Sequence, residues 1–432
     1  MALTSIVLYF SFAYDLQRTD FIKLITLYGA LFYFYYTLIK VEKTQPVFLN
    51  ALVILSRMVF LFAIPNLSQD FYRFIWDGRM LVEGWNPFLY LPKTLMEEGI
   101  APVAQAQELY KGMGELSANH YTNYPPLNQL CFFIAALFSG NSILGSVLTL
   151  RIIIIISDLG ILYVGQKLLR KLELPDHYIY LYLLNPFIII ELTGNLHFES
   201  LMLFFLLLSL YLIVLDKTKL AALAMACSIS VKLLPLLLLP LLFQRLSFKK
   251  AIIFYSLSIF ITILLFTPFF SIKFIESYTE TIGLWFTNFE FNGSIYNIIK
   301  AIGFKVSGYN IIRTVGKITP LIVLFLVILL TFLRDNKSLP KLITGMLFAL
   351  SFYLFTASVV HPWYLSTLLL LSIFTKYRYP FLWSLLIMLS YFTYSQPNFT
   401  ESYLLLVLQY LPVYALCIYE IFISRKKIAF NL

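Results

Sequence analysis

An all-α fold, built as a polytopic transmembrane helical bundle of about 12–14 spans, is what the sequence predicts. Of its 432 residues 60% are hydrophobic and 12% charged, more apolar side chain than the interior of a soluble domain hides. Apolar runs recur from one end of the chain to the other, and basic residues sit in short clusters between them. That is the pattern of a chain that weaves through a bilayer.

Apolar runs bounded by charged or turn residues place the candidate spans at 3–16, 21–40, 47–65, 143–166, 177–192, 198–215, 219–230, 232–243, 249–267, 319–333, 341–358, 363–375, 379–395 and 402–423. Several are shorter than the ~20 residues a helix needs to cross. The first run has no small-residue cleavage site and leads straight into the second, so it reads as a retained span and not a removed signal peptide.

The net charge of +10 does not point to nucleic acid. Its basic residues group as Lys167, Arg170 and Lys171; Lys217 and Lys219; Arg245, Lys249 and Lys250; Arg334 and Lys337; Lys376 and Arg378; and Arg425, Lys426 and Lys427. Placing all of these in the cytoplasm satisfies the alternation of spans and sends 66–142, 193–197, 268–318, 359–362 and 396–401 to the other side. Arg18 and Lys23 then fall outside, against the rule. Cys131, Cys227 and Cys417 lie among apolar neighbours and imply neither a disulfide framework nor a zinc site. With no internal repeat or low-complexity linker, residues 1–432 read as a single membrane-embedded domain. Its two large outer loops are 66–142, with interfacial helices, and 268–318.

The densest charge lies in "SQDFYRFIWDGRMLVEGWNPFLYLP", residues 68–92. If 69–77 is helical, Asp70, Arg73 and Asp77 share one face, while Phe71, Ile75 and Met80 lie elsewhere and rest on lipid. A purely structural account makes Asp70 a cap, Asp77-Gly78 a turn, and Trp76, Trp85 and Tyr90 belt aromatics. Further polar signatures fall on the same side: "TNYPPLNQ" (122–129), "GNLHFES" (194–200), "NFEFNGSIYN" (288–297) and "HPWYL" (361–365). Residues 127–138 are too short to cross and are expected to lie along the outer surface. Charges within spans face the bundle interior: Arg151 and Asp158, seven apart, read as an internal ion pair, and Lys232, without a sequence-local carboxylate, as a site for an anionic ligand.

Taken in order, the 68–92 stretch, "YPPLNQ", the lysine of "KLLPLLLLP", "FEFNGSIY" and "HPWYL" resemble the motifs of the GT-C superfamily of polytopic glycosyltransferases. The likeness is to its polyprenyl- or dolichyl-phosphate-mannose-dependent mannosyltransferases, and it runs from about 47 to about 365. Where those enzymes carry a Gly-His-Asn-Asp type element, this chain reads "GNLHFES", with His197 and Glu199 shifted. The resemblance implies transfer of a sugar, mannose first, from a lipid-phosphate carrier on the side away from the cytoplasm. It also implies an acidic base in the first outer loop, and the matching position is Asp70.

The chemistry asks for these residue types. A sugar hydroxyl is a poor nucleophile, so a carboxylate must take its proton as the bond to the anomeric carbon forms; one base without a covalent partner implies inversion. The departing lipid phosphate needs preorganised donors, for which Arg73, Arg79, Lys232 and His361 are candidates. Asp77, Tyr124, His197, Glu199, Asn292 and Trp363 complete the expected substrate and donor contacts. Trp85, Trp285, Trp363 and Tyr364 are either sugar-stacking or belt residues. No spacing demands a metal, and a Mg or Mn ion held by Asp70, Asp77, Glu191 and Glu199 stays as an open alternative. The expected partners are a polyprenyl-phosphate-linked sugar donor, a glycan or glycolipid acceptor and the lipid bilayer, with no nucleic acid. The expected location is a bacterial plasma membrane in preference to an endoplasmic reticulum. Rival readings are a transporter or flippase of lipid-linked sugar, and a polymerase or ligase of surface polysaccharide.

Overall fold

A computed structural model describes residues 1–424; the Arg425, Lys426 and Lys427 cluster lies outside the described residues. The fold is a helical bundle, and among the described residues the only β pairing is an isolated bridge between Phe291 and Val359. Six helices have the length and apolarity to cross a membrane: Phe21–Glu42, Ile143–Lys171, Phe248–Phe269, Ile312–Phe332, Leu339–Thr356 and Tyr403–Ile423. Pro186–Gly194 and Glu199–Val214, joined at a bend of 113°, reach that length and apolarity only together, as one broken span or a re-entrant pair. Shorter apolar helices are Ala2–Tyr14, Pro46–Met58, Pro126–Ser139, Thr218–Val231 and Pro235–Gln244.

The remaining expected spans are broken, which is why fewer than 12–14 full-length crossings appear. The 177–192 run divides at Pro186, and 363–375 and 379–395 become short α and 3-10 pieces beginning at Pro362 and at Tyr379, next to Pro380. Proline removes a backbone donor and crowds the preceding turn. Interrupted helix is tolerated at membrane depth when protein encloses it, and here 178–200 and 365–375 are buried throughout.

The charges inside the bundle pair differently from the sequence expectation. Asp158 accepts from Arg57 Nε at 2.7 Å, with both side chains fully buried, and Arg57 also donates to Leu183 O at 3.0 Å. Seven residues apart on one helix means ~10 Å along its axis, so Asp158 finds its cation on a neighbouring helix. Arg151 instead donates to Thr193 O and Gly194 O, each at 2.9 Å, and to Leu61 O at 3.0 Å. Thr193 O and Gly194 O are carbonyls that the bend at 194–199 leaves without a helical partner.

The basic clusters are tied to one another at the far ends of the spans. Lys250 pairs with Asp216 beside Lys217. Gln244 donates to Thr331 O at 2.6 Å and accepts from the Asn336 N–H at 3.0 Å, joining the 245–250 and 334–337 corners. Lys376 Nζ reaches Ser424 O at 3.4 Å, and the Glu420 carboxylate accepts from the Arg378 and Tyr379 backbone at 2.8 and 3.1 Å.

Candidate active site

The "SQDFYRF" stretch forms the helix Asp70–Val82. It is enclosed, not laid on lipid: Ala106–Ala118 packs on one side and Pro126–Ser139 on another. Phe71, Ile75 and Met80, expected to face lipid, are 1%, 2% and 1% exposed. The approach to Pro126–Ser139 needs a glycine, because a Cβ on Gly78 would lie 2.2 Å from Phe132 O. One residue gathers three motifs. The Phe74 ring stacks on Phe132 at 4.6 Å and meets Tyr124 and Phe198 edge-on at 5.0 and 5.9 Å. Just upstream, the Leu67 N–H donates to Asn195 Oδ1 at 2.9 Å, clasping the start of the first loop to the bend.

Asp70 opens the helix, its N–H donating to Ser68 Oγ at 3.3 Å, and stays partly exposed. Burial pushes its carboxyl up to about 6, with Glu199 adding to the rise and Lys232 and Arg18 opposing it. At neutral pH Asp70 is therefore ionised, yet strong enough as a base to hold a proton. Tyr124 lies in the same field, its phenol held well above the usual range by burial first and by Asp70 next.

Lys232, which follows the Thr218–Val231 helix with extended backbone, forms an ion pair with Glu199 at the head of Glu199–Val214. The expected absence of a carboxylate partner is thus corrected; the bend brings one from 33 residues upstream. Lys232 Nζ also lies 5.6 Å from the Tyr364 ring centroid, and Glu199 Oε2 is buried without a protein partner.

Beside this pair the aromatic and imidazole rings form a stack. His197 lies 3.7 Å from Trp363, Trp363 4.4 Å from His361, and His361 5.0 Å from Phe291, all face to face. Trp363 has both faces covered and so offers none to a sugar. Burial first, then Lys232, brings the His361 imidazole down to about 3, so it offers itself as a neutral hydrogen-bonding group. Phe291 is fixed by the bridge to the HPWYL loop, its N–H donating to Ser358 O at 3.0 Å and its carbonyl accepting from Val360 at 2.8 Å. Asn292, left-handed at φ 54, donates its N–H to the Glu401 carboxylate, while its carbonyl accepts from Tyr410 OH at 2.6 Å. Behind the stack, Tyr391 OH donates to Glu191 Oε1 at 2.8 Å, and Glu191 Oε2 lies 3.8 Å from His197 Nε2. Glu191 stands in a π-helical turn, Ile189–Gly194, a rare geometry frequent at functional sites.

The structure brings together Asp70, Tyr124, His197, Glu199, Lys232, His361 and Trp363, with Asn292 one residue behind the stack. It sets Arg73, Asp77 and Arg79 apart. Arg73 Nε pairs with Asp77 at 2.7 Å, both buried, and NH1 donates to Ser117 O and His120 O at 2.8 and 2.9 Å. Asp77 also accepts from Gln129 at 3.0 Å, so this pair fastens the YPPLNQ helix to the first one. Arg79, nine residues or ~13 Å along the helix from Asp70, turns to Ala104 O at 2.7 Å. Asp77 held by Arg73, and Glu199 by Lys232, do not assemble with Asp70 as a cation cage; among the described residues no three such ligands gather. The sequence reading placed Arg18 and Glu401 on this side but gave neither a part in the site. For Arg18 the signal was its breach of the charge rule; Glu401, in "NFTES", carried none.

Residues 24–246, slightly more than half of the chain, match the family described as "Alpha-(1->6)-mannopyranosyltransferase, N-terminal domain". The matched stretch holds Asp70, Tyr124, His197, Glu199 and Lys232. No curated protein matches the chain.

Proposed function

The chain belongs to the α-(1→6)-mannopyranosyltransferase family, and from that premise we propose that it moves mannose by inversion from a polyprenyl-phosphate carrier to a hydroxyl of a glycan or glycolipid acceptor, with Asp70 as the base. It is a multi-pass membrane mannosyltransferase. The observation that carries the assignment of the base is the place of Asp70, partly exposed, in the field of the Lys232–Glu199 pair.

In this reading Asp70 accepts the proton of the acceptor hydroxyl while that oxygen bonds to the anomeric carbon from the face opposite the phosphate. The C–O bond to the phosphate breaks, its electron pair leaves with the lipid phosphate, and an α-linked product by inversion requires a β-linked donor. Lys232 and neutral His361 face the charge that grows on the phosphate. The site draws on residues inside and beyond the matched stretch, which supports 1–432 as one working domain. The pairing of basic corners with one another, away from the site motifs, supports a site on the non-cytoplasmic face, and we place it in a bacterial plasma membrane.

The test compares wild type with Asp70→Asn in nanodiscs, given short-chain polyprenyl-phosphate mannose and a panel of mannose-containing acceptors, with products read by mass spectrometry. Transfer by wild type and none by a folded variant is expected. Equal transfer by both would move the base elsewhere.

A further inference from the structure

The loop between the first two helices and the first turn of the second, "DLQRTDFIK" (15–23), carry two cations on a side where charge patterning disfavours them. One is neutralised locally. Lys23 Nζ pairs with Asp15 at 2.6 Å, and Asp20 accepts from the Lys23 backbone N–H at 3.1 Å. The other, Arg18, has no carboxylate within ion-pair distance among the described residues. Its guanidinium lies 4.2 Å over the Tyr394 ring, and NH1 donates to Leu67 O at 3.4 Å, three residues before Asp70.

Charge counting gives this placement a meaning. Lys232, the cation the sequence offers for the lipid phosphate, is already matched by Glu199. The pair's net charge is zero, and Asp70 adds a negative one. A phosphate that gains a second negative charge as its bond to the sugar breaks needs net positive potential, which the Lys232–Glu199 pair does not supply. Arg18 does, and it stands at the end of the same chain of rings: Tyr394 lies 5.8 Å from Phe291, itself stacked on His361. A guanidinium held by one hydrogen bond and one ring keeps further N–H donors for a phosphate oxygen.

We propose that Arg18 contacts the phosphate of the lipid carrier and balances the charge it acquires on leaving, with the Tyr394 ring as its platform. The inference rests on the mannosyltransferase reading above and adds a binding residue that lies outside the matched stretch. It also accounts for the breach of the charge rule: the arginine stands where the substrate's anion arrives.

The measurement is inhibition of mannose transfer by a short-chain polyprenyl monophosphate, the leaving group itself, in wild type, Arg18→Gln and Arg18→Lys. Loss of one charge-assisted contact is expected to weaken inhibition about tenfold in Arg18→Gln and about threefold in Arg18→Lys, which keeps the charge but not the planar fork. The KM for the uncharged acceptor should stay as in wild type. An unchanged inhibition constant, or one that shifts together with the acceptor KM, would overturn the proposal and leave Arg18 a structural residue. Should Arg18→Gln not fold, Arg18→Lys decides by the same readout. Failure of wild type to transfer mannose at all strikes the mannosyltransferase reading instead, and direct binding of the monophosphate to the same three proteins then tests Arg18 by itself.

Discussion

Both ends of the bundle carry exposed ion pairs, Lys23–Asp15 on the side of Asp70 being 33% and 72% exposed, but among the described residues only that side adds enclosed ones. At the basic end the pairs are superficial: Lys250–Asp216 leaves its side chains 42% and 70% exposed, and Arg170–Asp176 64% and 42%. At the end that carries Asp70, Lys232–Glu199 is 23% and 2% exposed, and Arg73–Asp77 3% and 0%. Exposed pairs contribute little because water and salt screen them. Enclosed ones cost desolvation and give the fold little net stability. The end that keeps them, together with unpartnered buried atoms on Glu199, His197 and His361, is the one to which we assign the chemistry. Under the proposed orientation the basic end records only which way the chain lies.

The largest test of this contrast is Asp70→Asn. Loss of a general base lowers transfer by about 10²–10⁴-fold, and thermal unfolding should occur no lower than in wild type. The sign follows from the raised pKa: a carboxyl shifted up from 3.8 to about 6 is charged at neutral pH at a cost to the folded state, so a neutral amide removes that cost. Next, Lys232→Ala should cut donor use about tenfold and lower the melting temperature, because it leaves Glu199 buried with its charge uncompensated. A Lys232→Met, Glu199→Gln double variant should recover stability but not activity; recovery of both would make the pair purely structural. Third, kcat/KM should fall as pH drops through about 6, where Asp70 of the free protein takes up its proton; a flat profile from pH 5 to 8 would remove Asp70 as the base. Smallest, Lys250→Ala at the other end should change stability by at most about 0.5 kcal/mol and leave transfer unchanged, and a loss of activity there would break the comparison.

What the sequence showed and hid follows the same division. Helical periodicity and apolar runs announced the bundle, whereas Asp70 by itself read as well as a helix cap and was singled out by the resemblance of the ordered motifs. The match over 24–246 agrees with the resemblance read from the ordered motifs. Pairing was not legible. Arg57–Asp158 and Lys232–Glu199 join helices far apart in sequence, and nothing local to Asp158 or Lys232 names the partner. The interior role of Phe71, Ile75 and Met80 was hidden too, because a helix wedged between Ala106–Ala118 and Pro126–Ser139 has the same periodicity as one lying on lipid. Trp363 read as either a stacking platform or a belt residue, and only the neighbouring imidazoles show that its faces are taken.

Arg151 bears on when, as well as how, the chain takes its shape. Its guanidinium holds Thr193 O and Gly194 O at the bend, and it belongs to Ile143–Lys171, which leaves the ribosome before the bend does. Synthesis delivers the cation first and the unpaired carbonyls second. A break that hydrocarbon would penalise thus meets its donors as it enters the bilayer. The two segments are ordered in time, and moving the arginine to a later helix would expose the bend to lipid during insertion even if the finished contacts were the same.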